Sequence, residues 1–299
     1  MFMNKFFNNL PLSISGIMLA ILSLGNIFEK FKYIFLALGF IILLLLIFKL
    51  IFSFNSFKSE LDTVIGLSSF GTFSMSLMSI SAYFAPFTQS SVLLWYLAIL
   101  IHIVIIICFT KKYLFDSFNI EDVHASWWIV YIGLTMASIT SPAHSFSEYA
   151  YIFFNFTFAL MIPTLILISY RYFKFPLKED SAKPLICIYT ALFSILLVGY
   201  VSSYEIDKVF ITVIYIIAII FYIFSFYNFV INQKIEFYPT FAAFTFPFVI
   251  SAIATKDVYN VFQLDFLGFI STFENLIALI LVIYISSLFF KHYFTSITK

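Results

Sequence analysis

Apolar residues run along this chain in ten membrane-length segments, at 11–28, 33–54, 63–84, 92–115, 124–141, 149–171, 184–203, 208–231, 239–255 and 262–290, separated by short polar connections. Runs of roughly 17–25 apolar residues match the length a helix needs to cross a bilayer, and in lipid only helices or closed barrels satisfy every backbone polar group. These runs are too long and too uniformly apolar for barrel strands, so the pattern predicts ten transmembrane helices. Odd and even segments differ in kind. Gly, Ala, Ser and Thr supply 39 of 95 residues in the odd segments and 19 of 122 in the even ones, where Leu, Ile and Phe dominate. Small residues belong where helices pack closely or line a water-filled path, and large aliphatic ones face lipid tails. Five helices are therefore expected inside and five outside.

The odd segments start near positions 11, 63, 124, 184 and 239, a spacing of 52, 61, 60 and 55 residues. Regular spacing with the same alternation in each unit is the mark of a repeated helical hairpin. Pro11, Pro184 and Pro239 open three of the odd segments, where a missing amide proton costs nothing because the first turn has no intrahelical acceptor. Five inner helices around an axis would enclose a narrow path. The longest polar stretch, Lys174 to Lys183, reads as a loop, so residues 1–299 are expected to form a single transmembrane domain.

Composition agrees. With 63% hydrophobic and 10% charged residues and a mean hydropathy of +1.05, the chain lies far from soluble domains. A net charge of +1 argues for neither a nucleic-acid nor an acidic partner, and no nucleic acid is expected. Cys108 and Cys187 fall inside predicted spans, so neither a disulfide framework nor metal-type spacing is expected, and no cofactor. Met1 to Phe28 has the outline of a signal peptide, with Lys5 ahead of an apolar run, but no small-x-small cleavage site stands out and the stretch belongs to the repeat. Of the 16 Lys and Arg, 12 lie at the termini or in the even-to-odd connections, among them Lys5, Lys49, Arg171, Lys178 and Lys299; Lys30, Lys32, Lys208 and Lys256 lie on the other side. The positive-inside rule then places both termini in the cytoplasm of a multi-pass protein of the cell membrane.

Ionisable residues inside a membrane are costly and often functional. The inner spans hold none except His124 at the edge of the fifth. Glu274 in the tenth span is a candidate for proton coupling or for packing, and His102 in the fourth reads as an ordinary polar contact. Trp127 and Trp128 suit an interfacial anchor. The third span carries Ser68, Ser69, Thr72, Ser74, Ser76, Ser79 and Ser81 with Gly66 and Gly71; such hydroxyls either line a pore or bond back to their own helix. The ninth span reads Tyr238-Pro-Thr-Phe-Ala-Ala-Phe-Thr-Phe-Pro-Phe248. Pro247 should kink it and leave the Ala243 carbonyl free. Small residues at 242 and 243, one turn from Phe246, would let that ring project from an otherwise small-residue face and close a narrow pore.

The string Ala243-Phe-Thr-Phe-Pro247 resembles the ninth helix of the tellurite-resistance/dicarboxylate transporter family, which includes the plant slow-type anion channels. Leu10-Pro11 with Gly16, His124-Ala-Ser-Trp-Trp128 with Gly133 and Ala137-Ser-Ile-Thr140, and Gly199-Tyr200 extend the likeness along the whole chain. The resemblance implies a homotrimer in which each protomer folds as five helical hairpins in quasi-five-fold arrangement around its own central pore. It implies a phenylalanine gate on the ninth helix, here Phe246, and a pore-wall glycine on the first, here Gly16. Gly71, Gly133 and Ala243 are expected at the pore wall with it. The third span opens Leu61-Asp62-Thr63 and the fifth has Ala125 where the family often has proline, so helix entry there departs from its pattern.

The reading is an all-α membrane channel passing small inorganic or organic anions. The expected path offers hydroxyls and backbone dipoles in place of fixed charges, which predicts weak binding ranked by ease of dehydration. The alternative is a secondary carrier of C4-dicarboxylate, sulfite or tellurite-type oxyanions, proton-linked through Glu274. No nucleophile-base pair or metal cluster suggests an enzyme.

Overall fold

Residues 2–295 are described in a computed structural model. They contain helices and no strand. The elements are α1 (Phe2–Asn9), α2 (Ile14–Ile27), α3 (Lys32–Phe52), α4 (Phe54–Leu61), α5 (Val64–Phe84), α6 (Ser91–Phe109), α7 (Trp127–Tyr131), α8 (Thr135–Thr140), α9 (Ser147–Lys174), α10 (Tyr189–Ser203), α11 (Lys208–Asn232), α12 (Phe246–Phe262) and α13 (Asp265–Thr295). A π-helical stretch, Thr110–Asp116, extends α6; 3-10 turns at Asp180–Ile188 and Pro239–Phe244 lead into α10 and α12. Lys299 lies outside the described residues.

Among the described residues, eight helices are long and apolar enough to cross a membrane. The first and fifth expected spans are not regular helices of that length. α2 has 14 residues, about 21 Å at 1.5 Å per residue. The fifth segment is divided into α7 and α8. The amides of Ile132 and Gly133 both bond to the Trp128 carbonyl, at 2.8 and 3.1 Å, and the chain then proceeds by three-residue steps, Thr135 to Ile132, Met136 to Gly133 and Ala137 to Leu134.

Burial follows the small-residue pattern. The most apolar stretches of Val64–Phe84, Asp180–Ser203 and Pro239–Phe262 are 78%, 83% and 89% buried, whereas those of α3, α6, α9, α11 and α13 lie between 22% and 33%. The outer helices turn large side chains such as Leu93, Ile166, Ile220 and Ile283 outward, a surface that suits lipid and would be a liability in water. Each inner segment packs on the outer helix that follows it: α2 on α3, α5 on α6, α8 on α9, α10 on α11, α12 on α13. The inner segments also touch in sequence, α2 with α5, α5 with α7 and α8, α8 with α10, α10 with α12, and α12 with α2. α1 packs against α13, so the described ends of the chain meet at one end of the bundle.

Four of the five inner segments enter from that end by three-residue turns. Ile14, Ser15 and Gly16 bond back to Pro11, Leu12 and Ser13, and Trp127, Trp128 and Ile129 to His124, Ala125 and Ser126; α10 and α12 have their 3-10 leads. Such turns are narrower than α-helix and rise about 2.0 Å per residue. α5 alone starts with a side-chain cap, Thr63 Oγ1 accepting from Gly66 N at 3.0 Å.

Candidate functional site

The inner segments surround a cavity of about 60 Å³, room for a few waters at the ~15 Å³ each requires. Every inner segment contributes to its wall: Ser13 and Gly16; Ser69, Thr72 and Met75; Trp128, Ile129, Ile132 and Gly133; Leu185 through Ile195 on successive turns; and Thr240, Ala242, Ala243, Phe246 and Pro247. No Asp, Glu, Lys, Arg or His lines it.

The ninth segment breaks where a kink was expected. The 3-10 turn ends at Thr245 (φ −110°, ψ −84°), whose amide and hydroxyl both bond the Ala242 carbonyl, at 3.2 and 2.6 Å. α12 then starts afresh at Phe246 with Pro247 in its first turn, where proline's missing proton is no loss. A proline at this position ends one hydrogen-bond ladder and opens the next. Phe246 is buried and borders the cavity, and no ring pair among the described residues includes it. Phe244, two residues earlier, packs edge-on against Phe229 and Phe241, each with centroids 5.1 Å away.

The glycines divide. A methyl built on Gly16 would meet the Ala242 methyl at 3.4 Å, and the Ala242 carbonyl and Thr72 Oγ1 both at 3.9 Å. At Gly133 it would strike the Ile129 carbonyl at 2.2 Å, with His102 Cε1 and Met75 Sδ both at 2.9 Å. Gly71 is not among the cavity-lining residues; a methyl there would press on Ile129 Cγ2 at 2.9 Å, so its small size serves the approach of α5 to the fifth segment.

The hydroxyls of α5 also divide. Only Ser69 and Thr72 line the cavity. Ser74, Ser76 and Ser81 bond back to Gly71, Thr72 and Met78, and Ser68 bonds Ser126 of the fifth segment at 2.8 Å. His102 is fully buried behind the wall, its Nδ1 at 2.7 Å from Ser74 Oγ and its Nε2 at 3.0 Å from the Val130 carbonyl. It ties α6 to α5 and the fifth segment. Trp127 and Trp128 are buried, with indole N–H groups donating to the Asp122 carbonyl and Thr164 Oγ1, so they pack between helices and do not form an exposed belt. Glu274 does not line the cavity: its carboxylate accepts from Ser251 and Thr255 on the outer side of α12.

A wider cavity of about 360 Å³ continues toward the end that carries the chain termini and shares Ser13, Ser69 and Thr240 with the first. Pro11, Thr63, Gly66, Ser181 and Pro239 stand around it, so four inner segments present their N-terminal turns there. Aligned peptide dipoles give such ends a partial positive charge, partly offset by the Glu60 carboxylate, which lines the same cavity and accepts from the Leu12 amide at 2.8 Å. Sequence reasoning missed this mouth, although the prolines at positions 11, 184 and 239 signalled it. Beside it Lys49, fully buried, lies within hydrogen-bond distance of the Phe7 and Leu10 carbonyls, Ser56 Oγ and Glu60 Oε1. Farther out, Lys178 sits 2.8 Å from Glu121 and holds that carboxyl below its ordinary range. No group of metal-ligating side chains occurs among the described residues.

Residues 7–292 match the family model SLAC1, described as voltage-dependent anion channel. No curated protein matches the chain.

Proposed function

The chain belongs to the SLAC1 family, described as voltage-dependent anion channel, and on that premise we propose that it passes small anions through one pore per protomer, closed by the Phe246 ring. The observation that carries this reading is the pairing of an axial cavity without charged walls with a mouth ringed by four helix N-termini. An N-terminal turn attracts anions through its free amides, and a wall of hydroxyls and methyls holds them weakly enough to let them leave.

The pore is formed by five helical hairpins in quasi-five-fold order, with Gly16, Gly133 and Ala243 at its wall beside Phe246. The small side chains at 242 and 243 leave space for the ring to lie across the path or swing aside. The working assembly is a homotrimer in the cell membrane with both termini cytoplasmic, so the ringed mouth faces the cytoplasm. Ions rank by ease of dehydration. The second reading, a proton-linked carrier of dicarboxylate, sulfite or tellurite-type oxyanions, draws on the buried Glu274 carboxyl, but that group stands off the cavity.

Anion flux into liposomes holding the purified protein, with and without an imposed pH gradient, tests the proposal. Flux indifferent to the gradient is expected; strict dependence on it would replace the channel with the carrier.

A further inference from the structure

Glu274 sits in the middle of α13, 2% exposed, and no cationic side chain is paired with it among the described residues. A bare carboxylate at membrane depth is costly. Its hydrogen bonds are lopsided. Ser251 Oγ at 3.1 Å and Thr255 Oγ1 at 3.0 Å both donate to Oε2, and no described residue donates to Oε1. On α11, which packs against α12, the Tyr215 and Tyr222 hydroxyls are buried without a hydrogen-bond partner, and the Tyr222 ring packs edge-on against Phe248, one turn from Ser251. Seven residues apart, the two phenols share one face of α11. Of the other elements that pack on α13, α2 and the turn Pro239–Phe244 contain no titratable residue and α1 contains Lys5.

Buried polar atoms without partners are rare and call for an occupant. Two such phenol oxygens lie on the helix that packs against α12, which itself holds the unpaired carboxylate through Ser251 and Thr255. Each phenol oxygen has lone pairs to offer. A water alone would satisfy the hydrogen bonds and leave the negative charge uncompensated. A single positive charge satisfies both requirements, as a proton on Oε1 shared toward a phenol oxygen or as a small alkali ion among the same oxygens.

We infer that Glu274, Ser251, Thr255, Tyr215 and Tyr222 form a binding site for one monovalent cation, a proton or sodium, between α11, α12 and α13. Two of its ligands lie on α12, the helix that begins with Phe246, so occupancy fastens that helix to the outer layer. The inference does not depend on what passes along the axis, and its test measures no flux.

The test is the thermal midpoint of the purified protein in detergent, read in two arms. In one, sodium replaces a bulky organic cation at constant ionic strength and fixed pH; in the other, pH is lowered between about 8 and 5 without sodium. A ligand that binds only the folded state raises the midpoint, here by roughly 2–4 °C. A rise in the sodium arm assigns the site to sodium, and a rise in the acid arm alone assigns it to the proton. Glu274→Gln should remove the response, and Tyr222→Phe and Thr255→Val, which take away one oxygen at nearly constant volume, should weaken it. A wild-type midpoint flat in both arms overturns the inference. So does a full response in Glu274→Gln or, if that variant fails to fold, a full response in both of the others.

Discussion

The α-carbon of Gly16 faces Ala242 across the axis wall so closely that a methyl on the glycine would rest 3.4 Å from the alanine methyl. That is ordinary van der Waals contact, so one carbon fits and a larger group must turn into the cavity. Gly16→Ala is expected to keep yield and anion flux near wild type. Gly16→Leu, in a cavity of about 60 Å³, should cut flux by roughly tenfold or more through steric occlusion. Proteoliposome flux measures both, and equal flux in the two variants would remove Gly16 from the pore wall.

Phe246 and Phe244 are neighbours with different surroundings. Phe246→Ala should raise conductance by on the order of tenfold, as removal of an apolar constriction does, with normal yield. Phe244→Ala deletes a ring wedged between Phe229 and Phe241 and should lower stability by about 3 kcal/mol while leaving conductance unchanged. Single-channel or flux recordings beside melting curves separate the two. Conductance that rises equally in both variants would dissolve the gate assignment.

Gly133 and His102 should prove structural. Gly133→Ala cannot be accommodated without moving the Ile129 carbonyl or the His102 ring, and a lower melting temperature with reduced yield is expected. His102→Phe leaves the Val130 carbonyl unpaired at about the same volume, a loss of roughly 1–3 kcal/mol. A stable His102→Phe protein would show that the bridge to Ser74 and Val130 does not hold the fifth segment.

Lys49 anchors the entry to the first inner segment. Lys49→Met strips the pairing from Glu60 and two backbone carbonyls at once; because Glu60 is 30% exposed, the loss is set at about 2 kcal/mol, below that of a fully buried pair. The exposed Lys178 and Glu121 pair serves as the control, and Lys178→Met should not measurably shift the melting curve.

Topology can be read directly. Reporters fused at Lys299 and inserted in the 142–148 loop are expected in opposite compartments, the first cytoplasmic, because most Lys and Arg lie on its side. Reporters in the same compartment would contradict the proposed orientation.

The sequence by itself determined that the protein is helical and membrane-embedded, and which segments are buried. Lipid demands long apolar helices, and close packing selects small residues, so the contrast between α5, rich in Ser and Gly, and α3, rich in Leu and Ile, was already written in composition. The placement of Phe246, Ala243, Gly16 and Gly133 beside one cavity was also approached from sequence, through residue size and a family resemblance. Tertiary structure decided what composition cannot encode. Whether Ser69 or Ser74 meets the cavity depends on the rotation of α5, since a hydroxyl that lines a path and one that bonds its own backbone are the same residue type. The divided fifth segment and the break at Thr245 interrupt the regular helix that apolar length predicts, the second just ahead of Pro247, which has no amide proton to continue the ladder. The Glu274 cluster joins residues from three helices. Ser251 and Thr255 look like packing residues in the chain until the fold sets both against one carboxylate.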